Sequence, residues 1–205
     1  FFLNSLGVAL VITGVTIYTS CLCGYVLAKY RFRGRNAVFG FILGTMMIPW
    51  AVTIIPRYSM FASWGLRDHY IALILPAALS GFGIFMFRQS MSDIPDAILE
   101  AARIDGATGA RLFFRVTLPM ISPAVFFATV MTMIGSLQVF AQPQLLTGGG
   151  PGNSTQPIVQ FIYNNGFRFQ DLGLAAAAAW ILFAVIIVLT ALQFRAQKKR
   201  VHYEY

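Results

Sequence analysis

Residues able to do chemistry are sparse in this 205-residue chain, and their spacing builds no reaction centre. Cys21 and Cys23 stand one residue apart inside an apolar run, where a helix points them about 200° apart. In that geometry they neither close a disulfide nor readily share a tetrahedral metal, so packing is their expected role. His69 and His202 fall on opposite membrane faces by the topology below and cannot form one site. Asn153-Ser154-Thr155 fits the glycosylation pattern, which is common by chance. The chain has no GxxxxGK[ST] run and hence no phosphate-cradling loop of that type. These residues point away from an enzyme with its own catalytic, cofactor or metal site.

Chemistry-bearing side chains gather instead in one polar stretch, Arg88 to Arg115, which reads RQSMSDIPDAILEAARIDGATGARLFFR and leads into VTLPMISP. Pro95 suits the first turn of a helix, Ser92 and Asp93 lie just before it, and Asp96 and Glu100 follow. Ile94, Ile98, Ala101, Ala102 and Ile104 form a mostly apolar stripe at helical spacing. Gly106 ends that helix, because glycine enters the left-handed region without steric cost. A second short amphipathic helix, about 108–115, runs into the next apolar segment, with Pro119 and Pro123 near its start. Small residues at the bend let another protein's backbone approach closely. A connector merely resting on a membrane surface is the plain alternative.

The elements that position this stretch follow from where charge is missing. Hydrophobic residues make up 58% of the chain and charged ones only 11%, against about a quarter in a soluble domain. No Asp, Glu, Lys or Arg occurs in 1–28, 36–56, 69–87, 116–167 or 172–194. About 20 apolar residues in a helix cross a hydrocarbon core of roughly 30 Å, and a charge at its centre costs at least about 2.5–3.5 kcal/mol. The expected fold is therefore all-α and polytopic, one membrane domain over 1–205 with spans near 4–28, 37–57, 70–88, 116–140 and 173–194. Of the 15 cations, twelve fall at Lys29, Arg31, Arg33, Arg35, Arg88, Arg103, Arg111, Arg115, Arg195, Lys198, Lys199 and Arg200. Only Arg57, Arg67 and Arg168 occupy the alternate connections. This bias puts the amino end outside and the carboxyl end in the cytoplasm, and it explains the net charge of +8 without nucleic acid. Opening on Phe1, with no basic leader, the chain is expected to lack an upstream helix.

The spacing Glu100-Ala101-Ala102, Gly106, then Val116-x-Leu118-Pro119 resembles the EAA signature of permease subunits of binding-protein-dependent ABC importers, which usually carry Ile where Val116 stands. The likeness extends over nearly the whole chain and narrows to the carbohydrate, maltose-type branch. It includes Asn4-Ser5-Leu6, Gly24-Tyr25-x-Leu27-Ala28, Phe32-Arg33-Gly34-Arg35, Met46-Met47-Ile48-Pro49, Ile55-Pro56 and Gly83-Ile84-Phe85. The resemblance implies five helices of the permease core, with 88–115 as a cytoplasmic coupling loop. It implies that Glu100, Ala101, Ala102, Asp105, Gly106, Leu118 and Pro119 contact a separate ATPase subunit, which binds ATP and Mg; this chain would hold no cofactor. Implied partners are two ATPase subunits, a second homologous permease, an external solute-binding protein and the bilayer of the cell inner membrane. Leu137-Gln138-Val139-Phe140 stands where the maltose-type subunit often has Trp-Asn. Leu146-Thr147-Gly148-Gly149-Gly150-Pro151 with Thr155 looks more like the other half of such pairs. Which half this chain resembles stays open.

Between 142 and 171 a Gly-rich external loop, uncharged until Arg168, excludes regular helix at 148–152, while Ile158–Tyr163 suits an amphipathic or re-entrant piece. It is either a contact for the binding protein, a gate, or a mobile loop. The Ala175–Ala179 run is expected to let helices pack closely, and Trp50, Trp64 and Tyr70 to anchor at the interface. Uncharged spans favour a neutral polyhydroxyl solute, with glycerol phosphate as an alternative. They disfavour a secondary transporter, which needs an intramembrane ion site and usually an inverted repeat.

Overall fold

The computed structural model describes residues 1–150 and 152–197, and every regular element among them is helical. Pro151, Lys198, Lys199, Arg200 and His202, named above, lie outside the described residues. Helix α1 (Phe2–Lys29) runs unbroken for 28 residues and ends on a cation, which suits the negative end of its dipole. Then follow α2 (Arg35–Met46), α3 (Trp50–Ser63), α4 (Ile71–Ile74) with a 3-10 turn at Leu75–Ala77, α5 (Gly81–Ser92), α6 (Asp96–Ile104) and α7 (Gly109–Leu112). After a π-turn at Phe113–Thr117 come α8 (Leu118–Met120) and α9 (Ser122–Leu137). A second π-turn at Pro143–Thr147 leads to α10 (Ile158–Tyr163), a third covers Asn164–Arg168, and α11 (Leu172–Gln197) closes the described chain.

Three stretches, Phe2–Lys29, Ile71–Ser92 and Leu172–Gln197, are long and apolar enough to cross a membrane, and the number reaches five only if two bent helix pairs each count as one span. The expected continuous span 37–57 is one of those pairs. Pro49, at φ −58° and ψ 132°, has no N–H to donate and turns the chain out of helix between α2 and α3. The expected span 116–140 is the other: α9 starts only at Ser122, after Pro119 and a π-turn, and stops at Leu137. The expected span 70–88 loses regular helix at 78–80 and restarts at α5, where Ser80 Oγ accepts the N–H of Gly83 at 3.1 Å as an N-cap, and it continues to Ser92.

The described chain divides into two compact units, 1–16 with 48–78 and 130–193, and 17–47 with 79–129 and 194–197. In the first, the start of α1 packs Val8 and Ile12 on Leu73 and Ala9 on Met133 and Leu137, while Ile158 of α10 meets Ala178 and Leu182 of α11. The alanine run packs closely as expected: Ala175 and Ala178 are buried, and a Cβ on Gly166 would lie 3.1 Å from that of Ala175. Trp50, Trp64 and Tyr70 are all exposed, and the Tyr70 hydroxyl donates to the Ser154 carbonyl. In the second unit, α1 and α5 touch through pairs four apart on each helix, Ser20 and Gly24 on one and Gly83 and Phe87 on the other. A Cβ on Gly24 would lie 2.8 Å from Phe87 Cβ and 2.9 Å from the Arg88 nitrogen, and one on Gly83 would lie 2.8 Å from Ser20 Oγ. Cys21 packs in that core and Cys23 is half-buried; both are free thiols.

Candidate functional site: the loop between α5 and α9

The connection from α5 to α9 packs into the core of the second unit. Ile94, Leu99, Leu112, Phe113 and Ile121 are buried together with Tyr25, Phe87 and Met91, and the rings of Tyr25 and Phe113 meet edge to face at 4.9 Å. The segment is therefore a packed element and not a slack connector. Leu99, 3% exposed, is the anchor of α6, and the sequence stripe missed it. Ile94, Leu99 and the half-buried Ala102 face the core, while Ile98, Ala101 and Ile104 point outward, Ile104 at 87% exposure. A three-turn helix that rests on one side only buries a narrow face, and the spacing 94, 99, 102 describes it better than the one expected.

The end of α6 is fixed by a two-bond turn. Ala107 N–H donates to the Ala102 carbonyl at 2.9 Å and Gly106 N–H to Arg103 at 3.0 Å, with Gly106 at φ +83°. This is the Schellman arrangement, and only glycine enters that φ without strain. Nothing lies within 4 Å of where a Gly106 Cβ would be, so the demand is conformational and not one of space. Thr108, extended at φ −128°, then starts α7. The structure brings Glu100, Ala101, Asp105 and Gly106 to one exposed stretch with Ala102 at its edge, but Leu118 and Pro119 are half-buried after the π-turn, with Leu118 packed on the core. Leu118 thus holds the loop's shape rather than extending its exposed face.

One cation reaches into the loop from α1. Lys29, whose side chain is only 9% exposed, donates from Nζ to the Ile94 carbonyl at 2.8 Å and to Asp96 Oδ1 at 3.0 Å. The hydrogen bond from Lys29, and then its charge, hold the Asp96 carboxyl below its ordinary value. In the sequence Lys29 is one topology cation among twelve, and its spacing carries no signal of this pair.

The loop 142–171, in the first unit, is also folded. Gly148, Gly149, Gly152 and Asn153 take positive φ. Thr155 Oγ1 donates to the Gly150 carbonyl at 2.6 Å, buried Gln160 donates to Gln144 at 2.9 Å, and Asn4 donates to the Asn153 carbonyl at 3.3 Å. Ser5 Oγ, on α1, accepts the N–H of Ile158 at 2.8 Å and so caps α10 from outside its own segment. This network opposes the mobile-loop reading. Beside it, a cleft of about 330 Å³ is lined by Ile55, Tyr58, Arg67, Gln144 and Leu145, with the Arg67 guanidinium 5.3 Å from the Tyr58 ring centre.

Residues 20–203 match the family described as binding-protein-dependent transport system inner membrane component. Among similar proteins, the sn-glycerol-3-phosphate transport system permease protein UgpA of Agrobacterium fabrum is 32% identical over 98% of this chain and 78% of its own length. UgpA of Rhizobium meliloti is 39% identical over 66% of this chain, and the arabinooligosaccharides transport system permease protein AraQ of Bacillus subtilis is 35% identical over 71%. The matched region spans about half of these two proteins, 48% and 52%. The fold resembles a chain in the crystal structure of a bacterial alginate ABC transporter in complex with a periplasmic protein holding an alginate pentasaccharide. The TM-score is 0.73 at 20% identity, covering 96% of this chain and 78% of that one.

Proposed function

Because the chain belongs to the binding-protein-dependent transport system inner membrane component family, we propose that it is one membrane-spanning half of an ATP-driven importer. The solute is a sugar or related polyhydroxyl compound delivered by an external binding protein, and it passes between this chain and a second permease subunit. The carboxyl end lies in the cytoplasm, on the side of the twelve clustered cations. ATP chemistry takes place in two separate subunits, with residues 92–115 as the lever that docks on one of them.

The observation that carries the reading is the exposed stretch Glu100, Ala101, Asp105 and Gly106, with apolar Ile98 and Ile104 beside it, mounted on a loop packed against α1 and α5. An apolar and acidic face left open in this way suits a protein partner, and its packed base transmits a push without crumpling. Nucleotide state then shifts the inward-open and outward-open forms only by its different affinity for the two. Names of relatives support glycerol phosphate and arabino-oligosaccharide as solutes to try first.

The test is uptake in proteoliposomes holding the assembled importer and its binding protein, with labelled sn-glycerol 3-phosphate, arabinotriose and an alginate oligosaccharide as the panel. Glu100→Lys and Gly106→Val are expected to lose ATPase association and uptake, and a cysteine at Ala101 to cross-link to the ATPase. Wild-type uptake and assembly in both variants would refute the lever.

A further inference from the structure

We propose that Lys29 is the positioning residue that binds the lever to α1, by gripping both sides of the joint between α5 and α6. The inference rests on the lever reading of residues 92–115. Helix α5 ends at Ser92 and α6 begins at Asp96, so only residues 93–95 join them. Pro95, at ψ 132°, turns the chain there; its ring fixes φ but not ψ, nor the dihedrals of Asp93 and Ile94. The Lys29 ammonium holds the Ile94 carbonyl before the turn and the Asp96 carboxylate after it, at 2.8 and 3.0 Å, so any swing of α6 about Pro95 must break at least one of the two bonds.

Its foundation is firm on the other side. Lys29 is the last residue of α1, and one turn back Gly24 lies against Phe87 and Arg88 of α5 too closely to admit a Cβ. The far end of α5 is thus keyed to α1 before the joint begins. Charge explains why Asp96 is needed. A cation at the first turn of α6 opposes that helix's dipole, and a carboxylate at the first position reverses the sign. The Ile94 carbonyl precedes α6 and has no helical partner, so Lys29 also satisfies a main-chain acceptor that burial would otherwise leave open. Without Lys29, α6 keeps its core anchor Leu99 but gains freedom at its start. Strokes of the ATPase are then partly spent on bending the joint.

The experiment uses the assembled importer in proteoliposomes and reads solute imported per ATP hydrolysed, with whichever solute of the panel above the wild type accumulates. Lys29→Met keeps the buried stem and removes the donors. It is expected to keep ATPase association while the ratio falls by up to about ten-fold, the factor by which losing one charge-assisted hydrogen bond loosens the joint. Lys29→Arg, which can still donate to both acceptors, is expected to recover most of the ratio, which a role in packing alone does not predict. Asp96 is 74% exposed, so Asp96→Lys leaves the core intact; it sets two ammonium groups at the joint and is expected to lower the ratio at least as much. A wild-type ratio in Asp96→Lys, or in an assembled Lys29→Met, overturns the proposal. Wild-type uptake in the Glu100 and Gly106 variants fails the lever reading instead, so the two failures are distinct.

Discussion

Replacing Gly106 by alanine isolates one physical quantity. The residue lies at φ +83°, and an added Cβ meets nothing within 4 Å, so the whole cost is that of holding an L-residue in the left-handed region, about 1–2 kcal/mol. Two hydrogen bonds close the turn, each worth about 1 kcal/mol net. The strain therefore cancels much of what the turn gains, and the ratio of closed to open turn falls by a factor of roughly 5–30. Hydrogen exchange of peptides spanning 99–111, read by mass spectrometry on the detergent-solubilised protein, reports that ratio directly. Protection of the amides at 106 and 107 should drop by that factor in Gly106→Ala, and further in Gly106→Val. It should drop much less in Gly106→Asn, because asparagine tolerates this region better than other side chains. An order that follows side-chain size, with Asn worse than Ala, would mean that space governs the site and refute the conformational argument. Apparent affinity for the ATPase should fall in step with the closed fraction, since only that form docks.

Four further outcomes are expected. Gly24→Ala forces α1 and α5 apart against main-chain and Cβ atoms and should lower stability by about 1–3 kcal/mol, read as a lower melting temperature in detergent. Gly7→Ala, on the same helix with nothing within 4 Å, should be neutral or stabilising by up to about 1 kcal/mol. Ser5→Ala leaves the buried Ile158 N–H without its acceptor and should cost about 1–3 kcal/mol, with faster amide exchange confined to the start of α10. The Asp96 carboxyl titrates below its unfolded value, so its contribution is complete above about pH 4 and disappears as pH falls through the depressed folded value. Melting of the wild type and of Asp96→Ala should therefore differ by a constant amount from pH 5 to 8 and converge only in stronger acid.

What could be read without coordinates was whatever depends on neighbours in the chain. Gly106 ends α6 as its local freedom requires, and the charge-free runs 1–28, 69–87 and 172–194 correspond to long apolar stretches. Pro49, Pro119 and Pro123 were in view too. Their effect on spans was underrated because apolar composition says a segment can enter lipid and says little about whether its helix is continuous. Distant pairings left no trace in spacing. Ser5 capping α10 and Lys29 reaching Ile94 each join residues far apart in the chain, and both read as an ordinary serine and an ordinary boundary cation. The outward turn of Ile98 and Ile104 was missed because a short helix with apolar residues on two sides has two possible core faces, and only Leu99 decides between them.

Within the second unit, helix α1 carries two anchors, Gly24 against α5 and Lys29 at the joint before α6. They stand five residues apart on one continuous helix, a rise of about 7.5 Å, and their angular offset is fixed because each residue adds about 100°. A residue inserted or deleted between them would turn Lys29 by about 100° and slide it by about 1.5 Å. Its ammonium could then not reach the joint while Gly24 stayed against α5. For this segment the number of residues is therefore as strict a specification as their identity. Homologous chains should vary at exposed positions such as Val26 and scarcely at all in how many positions separate the two anchors.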